Sequence, residues 1–112
     1  MAKFLAVYTG VSDARPDQMD PQMMAKGMAA WTEWMQKHAD KIVQGGGPLG
    51  KTKRVTKAGV ADARNNLAAY VIVEADSHDA AARMFENHPH FAIFPGDGVE
   101  IMPCLPIPGQ AG

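Results

Sequence analysis

The sequence predicts an α+β domain of the ferredoxin-like βαββαβ type, an antiparallel sheet with its helices on one face. Three observations predict it. Apolar runs and helical patterns in the 112-residue chain follow one another as strand, helix, strand, strand, helix, strand. Next, the run Ala68-Ala69-Tyr70-Val71-Ile72-Val73 is apolar on both alternating faces, as is Phe4 to Tyr8. A sheet with one wet face alternates apolar and polar residues instead. Two helices cover only one face, so a second copy of the chain is the simplest cover for the other. The closing third, finally, reads as a strand, a capped helix, His88-Pro89-His90-Phe91 and a strand ending at Pro103.

The elements follow in order. Lys3 to Tyr8 is apolar and aromatic, stops at Gly10 and reads as the first strand. Val11 to Met19 is a polar loop. Asp20-Pro21 starts a helix, because a carboxylate caps orphan backbone N–H groups and proline suits the first helical position. Met24, Met28, Trp31, Met35 and His38 recur at helical spacing beside a row of Met23, Gly27, Ala30 and Trp34. That pattern predicts a long amphipathic helix with a wide buried face, ending near Asp40. Ile42 to Pro48 reads as a short strand running into a glycine-rich turn, its glycines marking a bulge or a close backbone approach. Lys51 to Asn65 reads as an exposed hairpin arm with turn residues at Ala58-Gly59. Leu67 to Glu74 is the clearest strand.

Ser77 N-caps a second helix, and Asp79 in its first turn complements the dipole. Ala80, Ala81, Met84, Phe85 and His88 share one stripe, and Pro89 ends that helix. Gly98 to Pro103 is the last strand. The chain reads as a single domain, 1–112, with a core over 1–103. Pro103, Pro106 and Pro108 make 104–112 an extended tail.

Composition excludes several function classes. Hydrophobic residues are 46%, a globular value. The formal net charge is −1 and the 11 lysines and arginines are dispersed, apart from Lys51, Lys53, Arg54 and Lys57. Nucleic-acid binding needs a concentrated basic footprint. No apolar run is long enough to span a bilayer or shaped like a signal peptide, so the expectation is a cytoplasmic protein without a membrane partner. Cys104 stands alone, which rules out an internal disulfide, and is expected to pack. Gly45-Gly46-Gly47-Pro48 opens no helix and lacks a Lys-Ser/Thr pair, so it is not a phosphate loop, and no cofactor is expected.

The sharpest chemistry lies in two imidazoles. His88 and His90 are two residues apart, and on extended backbone that spacing points both rings one way. A metal would need a third ligand from His38, Asp97 or Glu100. A histidine near a carboxylate also suits general acid–base work. Glu100, inside the last strand between Val99 and Ile101, would have a raised pKa if it faced a buried cavity. His88, placed at a helix C-terminus, would have its charged form favoured by the dipole, making it the better proton-transfer group of the two. Tyr8, Trp31 and Tyr70 are expected to line a ligand pocket.

The chain as a whole resembles the YCII-related family of small dimeric α+β barrel proteins. The resemblance rests on the Lys3–Tyr8 strand, Gly46-Gly47-Pro48, the run from Asn66 to Ser77, Asn87-His88-Pro89-His90-Phe91, and Val99-Glu100-Ile101-Met102-Pro103. It implies a ferredoxin-like fold whose sheets pair across a dimer, with an active-site cleft between sheet and helices. Some relatives act on chlorinated or lactone-type aromatic breakdown products. Some carry a histidine early in the first helix and an aspartate near its end. Here those stretches read Met28-Ala29-Ala30-Trp31 and His38-Ala39-Asp40, and His88 falls where many members place an aspartate before proline. Three readings stay open: a homodimer that binds a small molecule, an isomerase or lyase using His88 or His90 with Glu100, and a metal protein using His88 and His90.

Overall fold

The computed structural model describes residues 1–10 and 20–108. The polar loop expected over 11–19 and the tail residues 109–112 lie outside them. The order is β1 (Ala2–Thr9), α1 (Pro21–Lys37), β2 (Ile42–Pro48), β3 (Thr52–Thr56), β4 (Gly59–Ala63), β5 (Leu67–Ala75), α2 (His78–Arg83), α3 (Pro89–Ala92) and β6 (Gly98–Pro103). Strands β2-β5-β1-β6 form one antiparallel sheet in that order, while β3 and β4 pair separately as the expected hairpin arm. This is the ferredoxin-like arrangement.

Alternation along the strands decides the core. Phe4, Ala6 and Tyr8 of β1 and Val71, Val73 and Ala75 of β5 are buried together with Trp34, Ala81 and Phe85 from the helical layer. Their alternates Leu5, Val7, Tyr70 and Ile72 are only half-buried. Leu5 pairs with Ile72 and Val7 with Tyr70, so these four share the sheet face away from the helices.

The Asp20 carboxylate accepts the Gln22 N–H at 2.9 Å, with Pro21 at the first helical position. Helix α1 ends at Lys37 rather than near Asp40, because the N–H groups of Lys41 and Ile42 turn back to the His38 carbonyl and launch β2. Its buried face is narrower than its pattern predicts. Gly27 and Trp34 are fully buried, whereas Met28 is 54% exposed.

Strand β2 continues through its glycines instead of turning. Its register with β5 shifts on both sides of Gln44. Gly46 has φ +62, and a Cβ there would run into the Tyr70 carbonyl. Bulge and close approach are therefore both present.

The second helix departs most from expectation. Ser77 does cap it, accepting the Ala80 N–H at 3.0 Å. The helix stops at Arg83, and Asn87 takes a left-handed conformation with φ 58 that redirects the chain. His88 is thus not at a helix C-terminus but is the N-cap of α3, with extended backbone. Cys104 is exposed rather than packed. Among the described residues no helix is long and apolar enough to cross a membrane.

Candidate ligand pocket

A cavity of about 350 Å³ lies between α1 and the sheet. That size and its mostly apolar wall suit a small ligand. Tyr8 and Gly10 line it from the first strand and its end, Met28, Trp31 and Met35 from α1, Gly45 and Gly47 from β2, Tyr70 and Val71 from β5. His90 and Phe94 complete the wall from α3 and the loop beyond it. The structure therefore brings Tyr8, Trp31 and His90 together, whereas Tyr70 borders the cavity from a strand position whose pairing with Val7 puts it on the sheet face away from the helices. Gly27 matters indirectly: a Cβ there would strike the Phe94 ring, so the bare helix backbone lets Phe94 reach the cavity. The bonded pair of Tyr70 is Gln44, whose amide donates to the Tyr70 hydroxyl at 3.1 Å.

His88 is fully buried and outside the lining. Its ring sits in an aromatic cage, with centroids 4.6 Å from Trp31, 4.7 Å from Trp34, 5.0 Å from Tyr8 and 5.9 Å from Phe85. The His90 backbone N–H donates to His88 Nδ1 at 3.0 Å, and His88 Nε2 meets the Tyr8 hydroxyl at 3.2 Å. A backbone N–H only donates, so Nδ1 must be bare. Burial, reinforced by His90 and His38, lowers the His88 pKa from 6.5 to about 3. The expected dipole-favoured charge is reversed, because a ring that caps a helix N-terminus from inside an aromatic cage is held neutral.

His90 is oriented differently. Its Nε2 lies 2.8 Å from the Thr9 carbonyl, which only accepts, so Nε2 carries the proton. Gly96 packs against the same ring edge: a Cβ there would meet Nε2 and Cδ2. The other ring nitrogen, Nδ1, has no partner among the described residues. No buried side-chain nitrogen or oxygen among them lacks one, so Nδ1 borders accessible space. A bare imidazole nitrogen fixed from behind can accept a proton or a hydrogen bond.

Glu100 does not join this site. It pairs with Val7, on the opposite sheet face from Tyr8, and is exposed. Strand alternation places it there, so the condition for a raised pKa, a cavity-facing Glu100, is not met, and Glu100 drops out as a catalytic candidate. The partners of the two imidazoles are Tyr8 and backbone groups, with no carboxylate among the described residues. The metal reading meets a direct obstacle, since His88 has no lone pair left to offer. Sequence reasoning missed the Thr9 carbonyl, which as a backbone group leaves no residue-type signal. It also missed Phe94, which needs Gly27 opposite it.

No protein-family model matches the chain, and no curated protein matches it. The fold is shared with a solved structure, 5-chloro-2-hydroxyhydroquinone dehydrochlorinase from Burkholderia phenoliruptrix AC1100 in complex with 2,5-dihydroxybenzoquinone. The two chains are 22% identical with a TM-score of 0.54, over 89% of this chain and 90% of that one. The likeness is one of fold.

Proposed function

We infer that this protein is a YCII-related homodimer that binds a small oxygenated ring compound in the cavity between α1 and the sheet, and that His90 exchanges a proton with it. The observation that carries this reading is His90 in the mostly apolar wall of the cavity, with Nε2–H held by the Thr9 carbonyl and Nδ1 without a partner among the described residues. Aromatic walls from Tyr8, Trp31 and Phe94 suit a flat ring. His88 serves in this reading as a support and not as the proton-transfer group, because both of its nitrogens are engaged inside the protein.

The solved neighbour favours a second reading, a lyase-type enzyme. A dehydrochlorinase removes hydrogen chloride, so a base must take the proton while chloride departs with its bonding electrons. Among the described lining residues, His90 has a ring nitrogen, Nδ1, without a partner to take that role. Both readings are tested by titrating the protein with 2,5-dihydroxybenzoquinone and following tryptophan fluorescence. Saturable quenching is expected, weakened about tenfold or more in His90→Gln, the scale of one lost hydrogen bond to a charged or acidic group. Absence of saturation, or an unchanged curve in the variant, would sink the proposal.

A further inference from the structure

We propose that Tyr8 is the hydrogen-bond donor of the pocket, its hydroxyl proton turned toward the ligand by His88, so that the site takes a ring with a carbonyl or oxyanion oxygen at Tyr8 and an acidic O–H or C–H at His90. The inference rests on the ring-binding reading above and deepens it.

The direction of every hydrogen bond follows from two backbone groups. The His90 N–H donates to His88 Nδ1, so the single proton of a neutral His88 sits on Nε2. Nε2–H therefore points at the Tyr8 oxygen, 3.2 Å away, and Tyr8 receives that bond. The tyrosine's own proton has no protein acceptor among the described residues. His90 Nε2 cannot take it, since that atom is itself a donor to the Thr9 carbonyl. A buried hydroxyl donor left without an acceptor is costly unless something completes it. Tyr8 is only 1% exposed, yet it lines the cavity, so a ligand oxygen there can complete the bond.

Burial also raises the Tyr8 pKa well above its ordinary 10, so the phenol keeps its proton and remains a donor. Donor and acceptor stand close, with the Tyr8 and His90 ring centroids 5.2 Å apart. An ionised ring oxygen at Tyr8 would be stabilised in this apolar setting by a donor already oriented for it. His88 never meets the cavity. Its part is to position the tyrosine proton.

The test has two arms. The first needs no ligand: nitrogen-15 NMR of the imidazoles should find His88 neutral, with its proton on Nε2, between about pH 5 and 8. A proton on Nδ1, or a charged ring, overturns the proposal. The second arm compares two probes, 2,5-dihydroxybenzoquinone and p-xylene, a ring without oxygen. Tyr8→Phe should weaken the quinone about tenfold and leave p-xylene unchanged. His88→Leu should lose the quinone by a similar factor, and His88→Gln, whose amide N–H can reach the same position, should recover it. Quinone binding that is equal in Tyr8→Phe and wild type overturns the donor role. Wild-type protein that binds neither ring overturns the ring-pocket reading and the ligand class, while the imidazole spectra still decide the direction of the bonds.

Discussion

In the native state His88 stays neutral down to about pH 3, whereas the same imidazole in the unfolded chain titrates near 6.5. Between those values the unfolded state binds a proton that the native state does not. Stability is therefore fully present above 6.5 and is lost as pH falls toward 3, by up to about 1.4 kcal/mol per pH unit. Denaturant midpoints measured across that acid window should fall for the wild type and fall less steeply for His88→Gln. Parallel slopes would show that His88 is not the group responsible. The sequence exposed the participants better than their roles. Tyr8, Trp31 and His90 are readable as large or titratable residues facing a sheet–helix cleft, while strand alternation turns Tyr70 to the other face of the sheet. The charge preference of His88 is not, because it depends on a cage drawn from β1, α1 and the α2–α3 turn, and on one backbone N–H.

At the level of elements, periodicity located the strands and the first helix, since burial of alternate or every third and fourth residue leaves a direct imprint on composition. Where the pattern failed, a local conformation overrode it. The stripe Ala80, Ala81, Met84, Phe85 and His88 continues past Arg83, but Asn87 at φ 58 breaks the helix. An asparagine two residues before proline is a signal for such a break, as asparagine tolerates the left-handed region and proline opens the next helix. The glycine strand makes a paired prediction. Gly46→Ala would strain a left-handed backbone and collide with the Tyr70 carbonyl, so it should cost about 2 kcal/mol or more. Gly47→Ala meets nothing within 4 Å and should change stability by about 0.5 kcal/mol or less. Urea unfolding of both variants checks this, and equal losses would refute the bulge as the reason for Gly46.

The whole molecule leaves one sheet face to be covered. Leu5, Val7, Tyr70 and Ile72 sit there half-buried, and Met102, paired with Leu5, is 40% exposed. The arm adds a second unpartnered surface. Val55 and Val60 face each other across β3–β4 and are 74% and 67% exposed. A two-stranded hairpin is marginal alone, so an arm of this kind gains from packing on a neighbour. The sheet face is apolar along Leu5, Val7, Ile72 and Met102, with Glu100 beside Val7 and Lys3 opposite Glu74 toward its end, and fits an isologous contact between two copies. Sedimentation at micromolar concentration should therefore find a species of twice the 12.0 kDa chain mass. Ile72→Lys puts a charge at the centre of that face and should release monomers, because an unpaired charge is not tolerated in a buried interface. Tyr8, Trp31, His90 and Phe94 of one chain already wall the cavity and lie on the helical side of the sheet, so the monomeric variant should still quench with 2,5-dihydroxybenzoquinone. A wild-type monomer would remove the dimer from the proposal. A monomeric Ile72→Lys that loses the ligand would mean instead that the second copy helps to shape the cavity.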